Sequence, residues 1–388
     1  MTTSGSQTPP RTWAEYRGEF PIFETATYLT TCSLAPLSVA VEEALHDYLR
    51  IWHTSGAAAW HGPWWEEITT LRERVARIIG ATPGEVALFP SITAALSAVG
   101  SALDYDARPR VVMTELEFPT TRYQWQVKTA LETVEMPVPD GRSAALEQYE
   151  AAVDERTALA VGSHVYFTSG IIQDIAALAR IAHAQGAFCL IDAYQSVGQL
   201  PLDVHASGVD FLVGGSLKWL LGGSGMAFLY VRGDLLSRLR PEVVGWFAHR
   251  DQFAFAPAFD YAEDARRFEG GTPSVAAVYA ASAGLALVEE IGVERLRARQ
   301  LELTADLVGR ARDAGLDPRV PDDLTAHAGI VTIPRRDPPA VVRGLREAGV
   351  IVDSRPGIVR VSPYFFNTPE DHQRAVNAFA ALARRGIA

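Results

Sequence analysis

The sequence predicts an α/β protein: a mostly parallel sheet in a large domain, followed by a smaller α/β domain at the C-terminal end. Three observations carry this. Short runs that are nearly all apolar, such as 86–89 (VALF) and 187–191, alternate with stretches of helical periodicity. Strands that apolar on both sides belong to a sheet covered by helices on both faces. Late in the chain a long helical pattern over 274–314 separates this alternation from a second, shorter one. The length of 388 residues suits one large and one smaller unit. The expected divisions are an N-terminal arm over 1–35, a large domain over 36–285 and a small domain over 286–388.

In chain order, the polar, proline-bearing start MTTSGSQTPPRTW lacks the apolar stretch of an export signal and is expected to fray. Between 38 and 102 helices dominate. Val41, Leu45, Tyr48, Leu49 and Trp52 recur at helix spacing, as do Leu71, Val75 and Ile78. Strand 86–89 ends at Pro90 and feeds a helix that opens at Ser91, a good N-cap residue. Strand 111–114, helix 121–131, strand 158–167, helix 175–185 and strand 187–191 continue the alternation. The apolar stretch 211–231 holds Lys218 and five glycines, which would be costly in a lone membrane span, so it reads as strand, turn, strand. Beyond the bridge, strand 329–333, helix 338–347, strand 358–361 and helix 369–382 form the small domain.

Composition narrows the function. Hydrophobic residues make up 48% and charged residues 21%, and 46 acids against 35 bases give a formal charge of −11. A phosphate-backbone binder needs a basic stripe, so nucleic acid is excluded as a partner, and no membrane is expected. Two cysteines, Cys32 and Cys189, cannot build a disulfide framework or a cysteine-rich metal site, so the expected location is cytoplasmic and no metal is expected.

The chemistry concentrates in FCLIDAYQSVGQLPLDVHASGVDFLVGGSLKWLLGG, where one apolar strand ends at Asp192 and a second ends just before Lys218. Ligands of open α/β sheets sit at the carboxyl ends of strands, so an acid and a lysine arriving there face one ligand. Pyridoxal phosphate needs that pair, a lysine amine for its aldehyde and a carboxylate for its ring nitrogen. Either residue alone reads as a turn acid or a solvated lysine, but the apolar flanks Leu217 and Trp219 favour a buried role. The helix opening at Ser91 supplies amides and a dipole for a phosphate, with Ser91, Ile92 and Thr93 as candidates; a plain N-cap is the alternative. Phe118, in TELEFPTTRYQW, is placed to lie against the pyridine ring, or else is simple core.

Four segments then resemble the class V branch of pyridoxal-phosphate enzymes, with the type I aspartate aminotransferase fold and its seven-stranded, mostly parallel sheet. They are Phe118-Pro119, Asp192-Ala-Tyr-Gln195, Ser216-Leu-Lys218-Trp219, and Gly245-Trp246-Phe247-Ala248-His249 followed by Gly270-Gly-Thr272-Pro273. Their order resembles kynureninase-like proteins most, with cysteine desulfurase-like and isopenicillin N epimerase-like proteins close by. The resemblance implies that Lys218 holds the cofactor as an internal aldimine, Asp192 pairs with the ring nitrogen, Gln195 contacts the phenolic oxygen and Phe118 stacks. It implies Ser91 to Thr93, Ser216, Trp246 and Thr272 at the phosphate, Thr272 acting from the partner subunit of a homodimer with shared active sites. Arg360, in RPGIVRVSP, matches the arginine that clamps a substrate carboxylate, a task suited to a planar guanidinium. Ser33, in TTCSLAP, and Trp64 are candidates for substrate contact, and His249 for acting on the leaving group or anchoring its loop.

The implied activity is a lyase cleaving a C–C or C–S bond at Cβ of an amino acid bound to the cofactor. A class V aminotransferase or epimerase is the alternative, and a non-enzymatic binding protein is disfavoured by retention of Lys218 and Asp192. Desulfurases carry a nucleophilic cysteine on a late loop, and this chain has none after Cys189. Leu217 stands where kynureninase has tyrosine and the other relatives histidine, and alanines occupy 57–59 where kynureninases tend to have histidine. Four of the eight tryptophans fall between Trp52 and Trp65, at the family's substrate mouth, where they serve either a bulky side chain or the packing of helix ends.

Overall fold

The computed structural model describes residues 11–387; the first ten residues of the expected arm lie outside the described residues. The described chain opens with α1 (Trp13–Arg17), β1 (Thr27–Tyr28), α2 (Val39–Ser55) and α3 (Pro63–Ile79). Thr12 and Ser38 cap α1 and α2 by accepting from backbone amides three residues on. The alternation foreseen in the sequence follows: β2 (Val86–Phe89), α4 (Ile92–Ala102), β3 (Arg110–Thr114), α5 (Pro119–Gln126), β4 (Glu132–Met136), α6 (Leu146–Ala152), β5 (Thr157–Ser163), α7 (Ile175–Ala184) and β6 (Phe188–Asp192). After α8 (Val204–Ser207), β7 (Phe211–Gly215) and β8 (Ala227–Val231) complete the large sheet, so 211–231 is indeed two strands around a turn.

The seven strands lie in the order β2-β8-β7-β6-β5-β3-β4, and β8 alone runs against the rest. Strands β2, β5, β7 and β8 are buried along their whole length, as a sheet covered on both faces requires. Two apolar clusters fill the two sides of this sheet, one around Leu212, Phe228 and Ile191, the other around Leu229, Val213 and Leu190. Among the described residues no single helix is long and apolar enough to cross a membrane.

Three readings change. The helix expected over 121–131 stops at Gln126, because the chain turns to enter β4, an edge strand whose residues ETVEM are mostly half-buried and carry no apolar run. The strand expected to reach Phe167 ends at Ser163, where Val165 bridges back to Ile172. The bridge expected over 274–314 is two helices, α9 (Val275–Ile291) and α10 (Val293–Asp313), bent by 80° at Gly292, which takes a φ of 85° that side chains resist. The bend lets α9 pack on α2 and α3 while α10 packs against the last helix of the small unit. That unit holds β9 (Val331–Pro334), α11 (Pro338–Glu347), β10 (Val350–Ile351), β11 (Asp353–Arg355), β12 (Ile358–Val361) and α12 (Pro369–Arg384). Its antiparallel sheet runs β11-β12-β9, and β10 pairs with β1, tying the N-terminal segment to it.

Helix α9 also touches the turn after Lys218 through bare backbone. A Cβ on Gly284 would lie 2.5 Å from the carbonyl carbon of Leu221, and one on Gly222 would lie 2.5 Å from the Cα of Ala281. Gly284→Ala therefore forces helix and turn apart; we expect a loss of about 1–3 kcal/mol in chemical denaturation. Unchanged stability would show that this approach does not hold the turn.

Candidate active site

Strand ends build the site. Asp192 is the last residue of β6, and Lys218 follows β7 by three residues; both line a cavity of about 280 Å³. The same cavity is lined by Ser91, Ile92 and Thr93 at the start of α4, and by Phe118, Ser163, Tyr194 and Gln195. Val165, Phe167, Leu217 and Met226 give it apolar walls. Six residues named from the sequence thus meet with Lys218 around one space: Ser91, Ile92, Thr93, Phe118, Asp192 and Gln195; Arg360 stands outside the lining and acts on the lysine electrostatically.

Asp192 is 7% exposed, and its carboxylate accepts from the backbone N–H of Tyr194 (2.9 Å) and from Thr121 Oγ1 (3.2 Å). Burial raises its pKa above the usual carboxylate range, while the Tyr194 amide and the Lys218 charge pull the other way. Burial lowers the pKa of Lys218 to about 8, with Asp192 opposing the fall. The amine therefore becomes neutral, and nucleophilic, as pH rises through about 8 rather than through the ordinary lysine range. The capture of pyridoxal phosphate by apoprotein should rise with a midpoint near that pH; a midpoint near the free-lysine value would contradict the burial seen here.

Gln195 is fixed on both sides: its Nε2 donates to the carbonyl of Cys32 and its Oε1 accepts from the buried indole of Trp219, each at 2.9 Å. One amide hydrogen remains for a ligand oxygen. Phe118 precedes α5, presents a ring 38% exposed, and meets Phe167 edge-on with centroids 5.2 Å apart. Ser91 caps α4 by accepting from Ala94, which leaves the first-turn amides of Ile92 and Thr93 facing the cavity with no acceptor among the described residues. A lysine of lowered pKa, a buried acid and open helix amides around one space fit pyridoxal phosphate: aldehyde, ring nitrogen and phosphate each have a partner.

Arg360 is fully buried. Its Nε donates to Asp353 Oδ1 (2.8 Å), its Nη2 to Asp353 Oδ2, and its Nη1 to the carbonyl of Phe167 (2.7 Å). Two of its five N–H groups stay unspent, enough for a carboxylate. Asp353 is the cross-strand neighbour of Arg360, and Arg355 binds the same carboxylate at 3.0 Å.

Other candidates lie elsewhere. Ser216 donates its hydroxyl to the carbonyls of Gly223 (2.9 Å) and Met226 (3.3 Å) and stands outside the cavity lining. His249 directs its ring nitrogens at its own loop, toward Asp251 N (3.0 Å) and Ala258 O (3.3 Å). Trp246 Nε1 donates to Thr272 Oγ1 (3.2 Å), away from this cavity. Trp64 is 6% exposed and packs with Tyr48, Trp52, Trp60 and Tyr279, so Trp64 is core, while Trp52 at the edge of the cluster is 54% exposed. Ser33 is half-buried, its amide donating to Thr30, two residues from Ala35, whose amide holds the carbonyl of Leu217.

Sequence reasoning missed Thr121, Tyr194, Trp219 and Asp353. The first three stand in segments already singled out, and Asp353 is seven residues before Arg360; only folding shows what each one touches.

The family model described as aminotransferase class-V matches residues 27–374. An uncharacterised aminotransferase, YcbU, of Bacillus subtilis is 36% identical, covering 95% of this chain and 97% of its own. Kynureninase of Pseudomonas fluorescens is 29% identical, covering 89% and 86%. Among solved structures, a variant of C-DES with glycine covalently linked to its pyridoxal-phosphate cofactor superposes with a TM-score of 0.85 at 22% identity, covering 94% and 98%.

Proposed function

Because the chain belongs to the class V aminotransferase family and is a pyridoxal-phosphate-dependent enzyme, we propose that it is a lyase cleaving a C–C or C–S bond at Cβ of an amino acid. The observation that carries this reading is the meeting of Lys218, Asp192 and the α4 amides in one apolar-walled cavity, with Arg360 near enough to act electrostatically on the lysine. The bound cofactor supplies an electron sink for the substrate's α-carbon. Lys218 would anchor it and would take and return protons at the substrate's Cα. Asp192 keeps the ring nitrogen charged. Gln195 offers its spare amide hydrogen to the ring's oxygen, Phe118 packs on the ring, and Ile92 and Thr93 hold the phosphate. Arg360 takes the substrate carboxylate on its two unspent N–H groups, and Phe167, Leu217 and Met226 exclude water around the departing side chain.

The likeness to kynureninases over most of the chain supports cleavage at Cβ. Sulfur transfer by a persulfide is disfavoured, since Cys32 and Cys189 are both buried and burial raises both thiol pKa values, against nucleophilic use. Transamination is the second reading, favoured by the likeness to YcbU; epimerisation is the third. Incubation with a panel including kynurenine and cystine separates them. A lyase releases a side-chain product and leaves the cofactor as pyridoxal phosphate. Build-up of pyridoxamine phosphate during turnover contradicts it, and loss of Cα stereochemistry without cleavage marks an epimerase.

The proposed setting is a cytoplasmic homodimer. The joined pair Trp246 and Thr272, outside this chain's cavity, supports a role in completing the partner's. His249 serves there as the anchor of that loop, Ser33 remains a contact at the substrate mouth in this proposal, and Trp64 is packing beneath it.

A further inference from the structure

The cavity has an unassigned hydroxyl donor. A phosphate dianion accepts hydrogen bonds and donates none, so each hydroxyl that binds it must spend its one hydrogen there. Ser216, named for this task, has spent its hydrogen on the carbonyls of Gly223 and Met226. Tyr194 has not. Its backbone is pinned by the Asp192 carboxylate, and its hydroxyl has no acceptor among the described residues. The ring lies over the bare Cα of Gly215: a Cβ there would come within 2.3 Å of a ring carbon and 2.7 Å of the phenolic oxygen. The phenol thus fills the place of a side chain at Gly215, three residues before Lys218, and lines the same cavity as Ser91, Ile92 and Thr93. The Lys218 Nζ stands 4.5 Å from the ring centroid, so the cation supports the ring in that position.

We propose that Tyr194 is a cofactor-binding residue whose phenolic O–H donates to the phosphate of pyridoxal phosphate, in the role that the family resemblance implies for Ser216, and that Gly215 is glycine to seat its ring. The inference rests on pyridoxal phosphate occupying this cavity. Burial raises the phenol's pKa, which keeps it a donor at neutral pH.

Titration of apoprotein with pyridoxal phosphate and with pyridoxal, read by absorbance of the Schiff base, tests it. Tyr194→Phe keeps the ring and loses the hydrogen. It should raise the Kd for pyridoxal phosphate about ten- to a hundredfold and leave that for pyridoxal within about twofold. Gly215→Ala should show the same phosphate-specific loss, and Ser216→Ala none. Melting temperatures of the apo variants check that each is folded. An unchanged Kd in Tyr194→Phe, or an equal loss for both ligands, overturns the proposal. Failure of the wild type to bind either ligand would instead overturn the assignment of the cofactor.

Discussion

Lys218→Ala should yield a folded protein that takes up pyridoxal phosphate without forming a borohydride-reducible bond to the chain. Turnover should fall about 10²–10⁴-fold or more, the range expected when a positioned acid–base group is lost, with the loss of the covalent anchor added. The reason lies in the cavity. Its titratable lining groups are Asp192, Tyr194 and Lys218; burial raises the first two pKa values and lowers the third to about 8. Lys218 alone is thus poised to exchange protons near neutral pH, and no neighbour in the lining replaces it. Added small amines should restore part of the lost rate, since they supply the missing base. Full activity in Lys218→Ala would remove the lysine from the chemistry.

The second large effect falls on Asp192. Asp192→Asn preserves size and leaves an oxygen for the Tyr194 amide, so the local fold should survive. It removes the charge that keeps the ring nitrogen protonated. Turnover should fall about 10²–10³-fold, comparable to deleting one preorganised electrostatic partner elsewhere, and the cofactor should be lost on dialysis more readily than from the wild type. Asp192→Ala should be worse, because the Tyr194 amide then also loses its acceptor. Near-normal turnover in Asp192→Asn would show that its charge plays no part.

Those two residues were readable in the sequence because each follows an apolar run long enough to be a buried strand, and strand ends in such sheets converge. The same logic located the α4 amides and the two strands of 211–231. Edge strand β4 was not readable, since at the sheet's rim half its side chains meet water and the apolar pattern fades. The bend between α9 and α10 was hidden because one glycine inside a continuous helical pattern breaks it only when both flanking faces have different partners to cover.

Within the site, chain order predicted which residues arrive but not how their hydrogens are spent. Ser216 was a reasonable phosphate ligand until the turn after Lys218 brought two carbonyls within its reach. Gln195 lines the cavity, and its fixed orientation comes from Trp219 and Cys32, the latter 163 residues away. Arg360 is legible as a buried arginine only after Asp353 is seen across the strand pair.

The bond between Lys218 and the cofactor decides the assignment of the site. Reduction of the purified holoprotein with borohydride, followed by proteolysis and mass spectrometry of the peptides, reads it directly. The expected result is a single phosphopyridoxyl-modified peptide with the added mass on Lys218. Modification at another lysine, or none in a protein that carries the cofactor and turns over an amino acid, would contradict it.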